Sequence, residues 1–140
     1  MSMWKEHYRV GSDLIDTQHQ ELFKRVSRFI KVVQGDEPWE ERLEQVKETL
    51  VFMQHYVIIH FADEENLQKE IGYPELERHT RIHESFKGEI QEFAQTVERE
   101  GFDEEKVQEF SAKVMTWLIM HVGREDQKIG EFLRSRGGHK

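Results

Sequence analysis

Histidine and carboxylate side chains recur at helical spacing in this sequence, and together they have the chemistry of metal ligands. His60 and Glu64 are four residues apart, as are His79 and His83, so each pair projects from one face of a helix. Imidazole nitrogens and carboxylate oxygens bind iron, zinc and manganese. The candidate metal ligands, in chain order, are His19, His60, Glu64, His79, His83, His121 and Asp126.

These candidate ligands fall on or beside the apolar stripes of predicted helices, where an unpaired carboxylate would cost several kcal/mol to bury. Bound metal ions offset that cost directly. If both carboxylates and one solvent oxygen bridge two octahedral ions, the ligand set leaves a single coordination position open. An open position on a bound metal is a site for a small ligand. Nitrogen-rich ligation without sulfur favours iron, and zinc and manganese stay as alternatives.

The spacing between His121 and Asp126 does not fit a regular helix. Five residues correspond to a rotation of about 140° at 3.6 residues per turn, so the two side chains would point apart. Both reach one centre only if they lean inward or if the helix contains an irregularity such as a π-bulge. Gly123 lies between them and would permit either solution.

Four amphipathic segments must position the ligands. Each carries apolar residues at i, i+3, i+4 and i+7 on one stripe, which is typical of a helix that packs on a core. The predicted helices cover residues 15–34, 39–70, 75–100 and 103–134.

Turn and capping residues separate the four segments. Gly35 ends the first, Gly72 and Pro74 end the second, Gly101 ends the third, and Asp103 is a good N-cap for the fourth. Connections this short make neighbouring helices antiparallel. We therefore predict an all-α fold, an up-down-up-down antiparallel four-helix bundle in a single domain over residues 1–140. Residues 1–14 are predicted to form an N-terminal arm and residues 135–140 a disordered tail.

Composition narrows the class of protein. The 140 residues include no cysteine, which excludes disulfides, thiolate zinc sites and iron–sulfur clusters and predicts a cytoplasmic location. A net charge of −8 argues against a nucleic-acid-binding or anionic-membrane-binding surface. The sequence contains no apolar run long enough to span a membrane and no long exposed apolar stripe, so we expect a monomer.

Several segments resemble the hemerythrin family, and most closely its bacterial single-domain members. They are residues 15–19 (IDTQH), 60–65 (HFADEE), 72–74 (GYP) and 117–121 (WLIMH). The likeness covers nearly the whole chain and includes all candidate ligand positions in order. It implies two iron ions joined by an oxo or hydroxo bridge, with dioxygen as the partner that binds reversibly.

The resemblance also implies a role for each ligand. Glu64 and Asp126 would bridge the two irons. The six-coordinate iron would be completed by His79, His83 and His121. The five-coordinate iron, which carries the open position, would be held by His19 and His60. An apolar pocket would surround that position, lined by Leu22, Phe61, Trp117, Leu118 and Val122.

The sequence leaves three functions to compare. A dioxygen carrier, store or delivery protein agrees with the full ligand set and the apolar pocket. An oxygen- or redox-sensing module of a signalling protein is the alternative, because many family members are fused to signalling domains. A di-iron peroxidase or oxidase is disfavoured, since no glutamate precedes a histidine by three residues as in carboxylate-rich di-iron enzymes. We therefore predict a binding protein and not an enzyme.

Overall fold

The computed structural model describes residues 4–137, and this part of the chain consists of helices and short connections without a β-strand. The predicted all-α class is confirmed. The elements, in chain order, are a 3-10 turn at Glu6–Tyr8, α1 at Asp13–Val33, α2 at Trp39–Ile71, α3 at Leu76–Glu100, α4 at Glu104–Met120, a π-helical turn at His121–Glu125 and α5 at Asp126–Gly137.

Capping side chains set the helix ends. The Ser12 side chain accepts a hydrogen bond from the backbone N–H of Ile15, so α1 begins at Asp13, earlier than its apolar pattern predicts. Asp103 caps α4 in the same way through the N–H of Lys106, as predicted. Gly72 ends α2 with a φ of 70°, a left-handed conformation that glycine adopts without steric cost.

The C-terminal end differs from the sequence prediction. The predicted fourth helix is divided into α4 and α5 by the π-helical turn, and α5 continues to Gly137. No glycine or proline interrupts residues 131–136, so the helical hydrogen bonds extend into the predicted disordered tail. The remainder of that tail, residues 138–140, lies outside the described residues.

The helices pack side by side around one apolar core. Helix α1 contacts α2 and α4, and α2 contacts α3. Near the start of α2, Arg42 donates hydrogen bonds to the carbonyls of Val32 and Val33 at the end of α1. Between α3 and α4, the rings of Phe93 and Phe110 stack with centroids 3.9 Å apart. No described helix is apolar over a length that could cross a membrane.

The segment before α1 lies against the far end of the chain. The backbone N–H groups of Val10 and Gly11 both donate to the buried Asp16 carboxylate. The Tyr8 ring stacks on Phe23, and its carbonyl accepts a hydrogen bond from the Gln127 side chain. These contacts fix the segment next to the π-helical turn.

Candidate metal centre

All of the predicted metal ligands lie together in one buried cluster. None of the seven side chains is more than 3 % exposed. Helix α1 contributes His19, α2 contributes His60 and Glu64, and α3 contributes both of its histidines. The π-helical turn begins at His121, and α5 begins at Asp126.

The π-helical turn solves the spacing problem between His121 and Asp126. A π-helical turn holds one more residue than an α-helical turn, so residues five apart can face the same side. Of the two solutions that the sequence left open, inward-leaning side chains or a helical irregularity, the structure contains the second, around Gly123. A Cβ atom on Gly123 would lie 3.2 Å from Cε1 of Tyr8, which explains why the smallest residue occupies this position beside the N-terminal segment.

The five histidines divide into two groups around the carboxylates. We call His79, His83 and His121 the three-histidine group, because they cluster with Glu64 and Asp126, with all ligand atoms within 4.8 Å of one another. His19 and His60 form the two-histidine group, which clusters with Glu64 by the same criterion.

The Glu64 carboxylate lies between the two groups and turns one oxygen to each. Its Oε1 is 2.9 Å from Nε2 of His79 and 3.0 Å from Nε2 of His83. Its Oε2 is 3.1 Å from Nε2 of His19 and 3.6 Å from Nε2 of His60. One carboxylate could therefore contact an ion at each group at the same time.

The Asp126 carboxylate has the same arrangement. Its Oδ1 is 2.9 Å from Nε2 of His79 and 3.1 Å from Nε2 of His121. Its Oδ2 is 3.0 Å from Nε2 of His19. Neither oxygen accepts a hydrogen bond of acceptable geometry, although both are buried. Such short N···O separations without hydrogen-bond geometry are expected when nitrogen and oxygen lone pairs converge on a common centre.

Two histidines are oriented by side chains that the sequence reasoning did not assign to the site. Nδ1 of His83 donates to Oε2 of Glu65 over 2.9 Å. Nδ1 of His60 donates to Oε1 of Gln18 over 2.7 Å, and Nε2 of Gln18 donates to Asp63 over 2.7 Å. Gln18 and Glu65 directly neighbour predicted ligands in the sequence, and that adjacency was the one signal that could have found them.

The hydrogen bonds from His83 to Glu65 and from His60 to Gln18 show whether the cluster suits a metal. A neutral imidazole that donates from Nδ1 has a bare lone pair at Nε2. Nε2 of His83 nevertheless lies 3.0 Å from the Glu64 oxygen Oε1, so an acceptor faces an acceptor, and Nε2 of His121 lies 3.1 Å from the same nitrogen. A buried arrangement of this kind needs protons or a cation between the acceptors. The donor set therefore fits metal ions.

Comparison with known proteins identifies the family. The model of the hemerythrin HHE cation binding domain matches residues 10–133. The chain belongs to the hemerythrin family. The family resemblance carried by the sequence motifs is thus confirmed over most of the chain.

Curated relatives extend this similarity across most of each chain. The bacteriohemerythrin of Clostridium acetobutylicum is 27% identical over 129 residues, which cover 91% of this chain and 98% of the relative. The bacteriohemerythrin of Campylobacter jejuni (strain 81-176) is 30% identical over 127 residues, or 91% of each chain. A bacteriohemerythrin of Stenotrophomonas maltophilia is 26% identical over 133 residues, covering 95% of this chain and 82% of the relative.

In this hemerythrin-family chain, the side chains predicted to line the ligand pocket lie beside the cluster or in the adjoining core. The Phe61 ring stacks on the His83 ring with centroids 3.8 Å apart, and the Trp117 ring stacks on His121 at 4.3 Å. Trp117 is half-buried. The other three members belong to the buried core: Leu22, Leu118 and Val122.

Without a metal, protons stabilise the hemerythrin-type cluster. Burial lowers the pKa of His19, but the carboxylates of Asp126 and Glu64 outweigh burial and raise it to about 9. By the same balance the pKa of His79 rises to about 10 and that of His121 to about 9.

The remaining members of the cluster shift in the opposite direction. Burial, reinforced by the neighbouring His19, lowers the pKa of His60 to about 3. Burial raises the pKa of Glu64 and of Asp126, but the surrounding imidazoles outweigh it and hold both carboxyl groups well below their usual pKa values. The cluster thus holds two carboxylates that attract positive charge, and metal ions compete with protons for the same nitrogens.

Proposed function

We propose that this protein holds two iron ions and uses them to bind dioxygen reversibly. The observation that carries the proposal is the position of Glu64 and Asp126. Each carboxylate turns one oxygen to each histidine group, at 2.9 to 3.1 Å from the nearest imidazole nitrogen. An arrangement in which two carboxylates are shared by two nitrogen clusters suits a pair of ions and not a single one.

The proposed ligand set follows the two groups. The three-histidine group would hold one ion, the two-histidine group would hold the other, and both carboxylates would bridge. The second ion has one imidazole fewer, so the open coordination position belongs to it. An oxo or hydroxo bridge between the ions would complete the centre.

Iron is the proposed metal because five imidazoles and two carboxylates suit iron, and because the relatives are named bacteriohemerythrins. When bound, the iron pair supplies the open position and the electrons that reversible dioxygen binding requires. Zinc and manganese accept similar ligands, so metal analysis distinguishes them.

The side chains around the centre would orient the ligands and exclude water. Phe61 and Trp117 stack on ligand rings and fix the planes of His83 and His121. Phe61, Leu118 and Val122 offer no proton donor or nucleophile to a bound gas molecule. We therefore propose binding without net chemistry, and not enzymatic turnover.

We also infer the alternating course of the helices in one domain. The end of α1 meets the start of α2 through Arg42, and the late part of α2 meets the start of α3 through Glu65 and His83. The start of α3 meets the π-helical turn through Arg78 and Glu125. These contacts support an up-down-up-down order. The N-terminal arm, predicted as residues 1–14, would end before Asp13, where α1 begins. A monomeric state and a cytoplasmic location stay predictions.

The decisive experiment combines metal analysis with reversible oxygenation. Iron-loaded protein is reduced without air, exposed to dioxygen and then purged, while visible charge-transfer absorption is followed. We expect two irons per chain and an absorption band that appears and disappears reversibly. His121→Ala should abolish the band, whereas His55→Ala, which changes an exposed histidine of α2, should retain it.

Other outcomes would contradict the proposal. Fewer than two irons per chain would exclude the di-iron centre. A band that decays at once to the oxidised spectrum would favour a sensing or redox function. Turnover of peroxide well above the rate of free iron would favour an enzyme.

A further inference from the structure

We propose that Glu65 gives the two metal positions different metal affinities and different redox potentials. Its negatively charged carboxylate contacts the outer nitrogen of His83, which is one ligand of the three-histidine group. This inference rests on the proposed function. Glu65 does not reach the ions itself, and it acts through His83 as a positioning residue.

The contact between Glu65 and His83 is short, and the ring of Phe61 also holds His83 in place. Oε2 of Glu65 accepts the Nδ1 proton of His83 over 2.9 Å. The His83 side chain is fully buried, whereas the Glu65 side chain is 19 % exposed at the seam between α2 and α3. Phe61 stacks on the same imidazole with an interplanar angle of 4°, so the ring is held from its face as well as from its edge.

The equivalent contact of the two-histidine group is different in kind. His60 donates to the neutral amide of Gln18 over 2.7 Å. The negative charge on this side of the His60 ring is Asp63, which accepts from the other end of that amide over 2.7 Å. An uncharged group therefore separates His60 from the carboxylate, whereas His83 contacts its carboxylate directly.

The other histidines do not cancel this difference. Nδ1 of His19 and Nδ1 of His121 are buried without a hydrogen-bond partner. One such imidazole belongs to each group, so the two contributions are matched. The remaining ligand, His79, contacts the shared carboxylates Glu64 and Asp126 through Nε2. The two metal positions thus differ in the hydrogen bonds behind their ligands, because only the three-histidine group has a histidine that contacts a carboxylate directly, at Glu65.

The physical consequence follows from charge-assisted hydrogen bonding. A carboxylate that accepts the Nδ1 proton increases electron density at Nε2 and makes the imidazole a stronger ligand. A stronger ligand favours tight metal binding and the higher oxidation state. We therefore expect the three-histidine position to bind divalent ions more tightly and to be oxidised at a lower potential, with Glu65 as the cause of part of that gap.

The first test removes the negative charge of Glu65 but keeps an acceptor for the hydrogen bond from His83. Glu65→Gln preserves size and an acceptor oxygen. Glu70→Gln is the matched control, since it removes an exposed carboxylate from the same helix, about 1.4 turns away. Competition titrations with zinc should show affinity at one of the two positions falling about 10-fold or more in Glu65→Gln only. Spectroelectrochemistry of the iron-loaded protein should show one midpoint potential shifting upward.

A second test moves the charge without changing the net charge. The double variant Gln18→Glu, Asp63→Asn places a carboxylate directly behind His60 and retains both hydrogen bonds. We expect tighter zinc binding at the two-histidine position and a smaller gap between the two affinities. This variant decides the matter if Glu65→Gln does not fold, as judged by circular dichroism.

The outcomes separate this inference from the proposed function. Wild-type protein that binds fewer than two metals would overturn the proposed function. Wild-type protein that binds two metals, with Glu65→Gln indistinguishable from Glu70→Gln, would overturn the role of Glu65 alone. An unchanged affinity gap in the charge-moving double variant would overturn it equally.

Discussion

The two ends of the bundle are stabilised by different physical effects. One end, which we call the apolar end, is built from the second half of α1 and the first half of α2 with α3 and α4, and its core contains Phe29, Val33, Val46, Val97 and Val107. The other, the polar end, buries five imidazoles and two carboxylates. Hydrophobic burial dominates at the first, with Arg42 hydrogen-bonded across α1 and α2, whereas the second requires protons or metal ions.

This difference shows how the protein separates folding from function. The apolar end can form without any ligand, and it holds the helices in register. The polar end then needs only to bring its buried histidines and carboxylates together, because these side chains come from helices whose positions are already set. Stability and metal binding should therefore respond to different substitutions.

The largest expected effect is the loss of the metal pair in Glu64→Gln. The amide removes the negative charge and turns its NH₂ group, a donor, towards one histidine group. The side chain can then no longer bind a metal ion at each of the two groups. We expect iron to fall from two ions per chain to one or none, as measured by metal analysis. Glu48→Gln, on the exposed face of α2, is the control and should retain both ions.

At the apolar end, Phe29→Ala should reduce the free energy of unfolding by about 3–5 kcal/mol, because it leaves a cavity in a packed core. Chemical denaturation of the metal-free protein measures this loss. Val51→Ala removes an exposed side chain and should change stability little. If the folded Phe29→Ala protein lost its second iron, the two ends would be less independent than the structure indicates.

Metal loading at the polar end should release protons. The raised pKa values of His19, His79 and His121 mean that these imidazoles bind protons at pH 7 in the metal-free protein. Metal binding displaces those protons, so the affinity should fall as the pH is lowered. Calorimetric titration with zinc in buffers of different ionisation enthalpy measures the release. A heat that does not depend on the buffer would contradict it.

The smallest effects concern two glycines, for which opposite signs are expected. A Cβ on Gly130, at the polar end, would lie 3.2 Å from backbone atoms of Val10, so Gly130→Ala should destabilise by about 1–3 kcal/mol. A Cβ on the exposed Gly88 of α3 meets nothing within 4 Å, so Gly88→Ala should stabilise by about 0.5–1 kcal/mol. Thermal melting distinguishes the two, and equal shifts would argue against close packing of the N-terminal segment.

Much of this architecture was predictable because its signals are local. Apolar periodicity predicted the helices, and Gly72, Gly101 and Asp103 predicted where they end or begin. The ligand set followed from helical spacing and from the family resemblance. Even the irregular turn was one of two predicted solutions, because a separation of five residues from His121 to Asp126 does not fit an α-helix.

Two of the parts that were missed depend on tertiary contacts, and two depend on weak local signals. The roles of Gln18 and Glu65 arise only when α1, α2 and α3 are packed, because each side chain bonds a histidine on another helix. The early start of α1 depends on the Ser12 cap, a weaker signal than apolar periodicity. The extension of α5 depends on the absence of a breaker before Gly137.

The π-helical turn also determines how the segment from α4 to α5 tolerates the deletion or insertion of residues. It inserts one residue between the α-helical phase of α4 and that of α5. Deleting one residue between His121 and Asp126 would let a regular α-helix continue, with the two ligands four residues apart and still on one face. Adding a residue to this turn would instead rotate everything beyond it by about 100°. Asp126 would then leave the cluster, and the fully buried Ile129 would turn towards solvent. The segment should therefore tolerate the loss of one residue better than the gain of one.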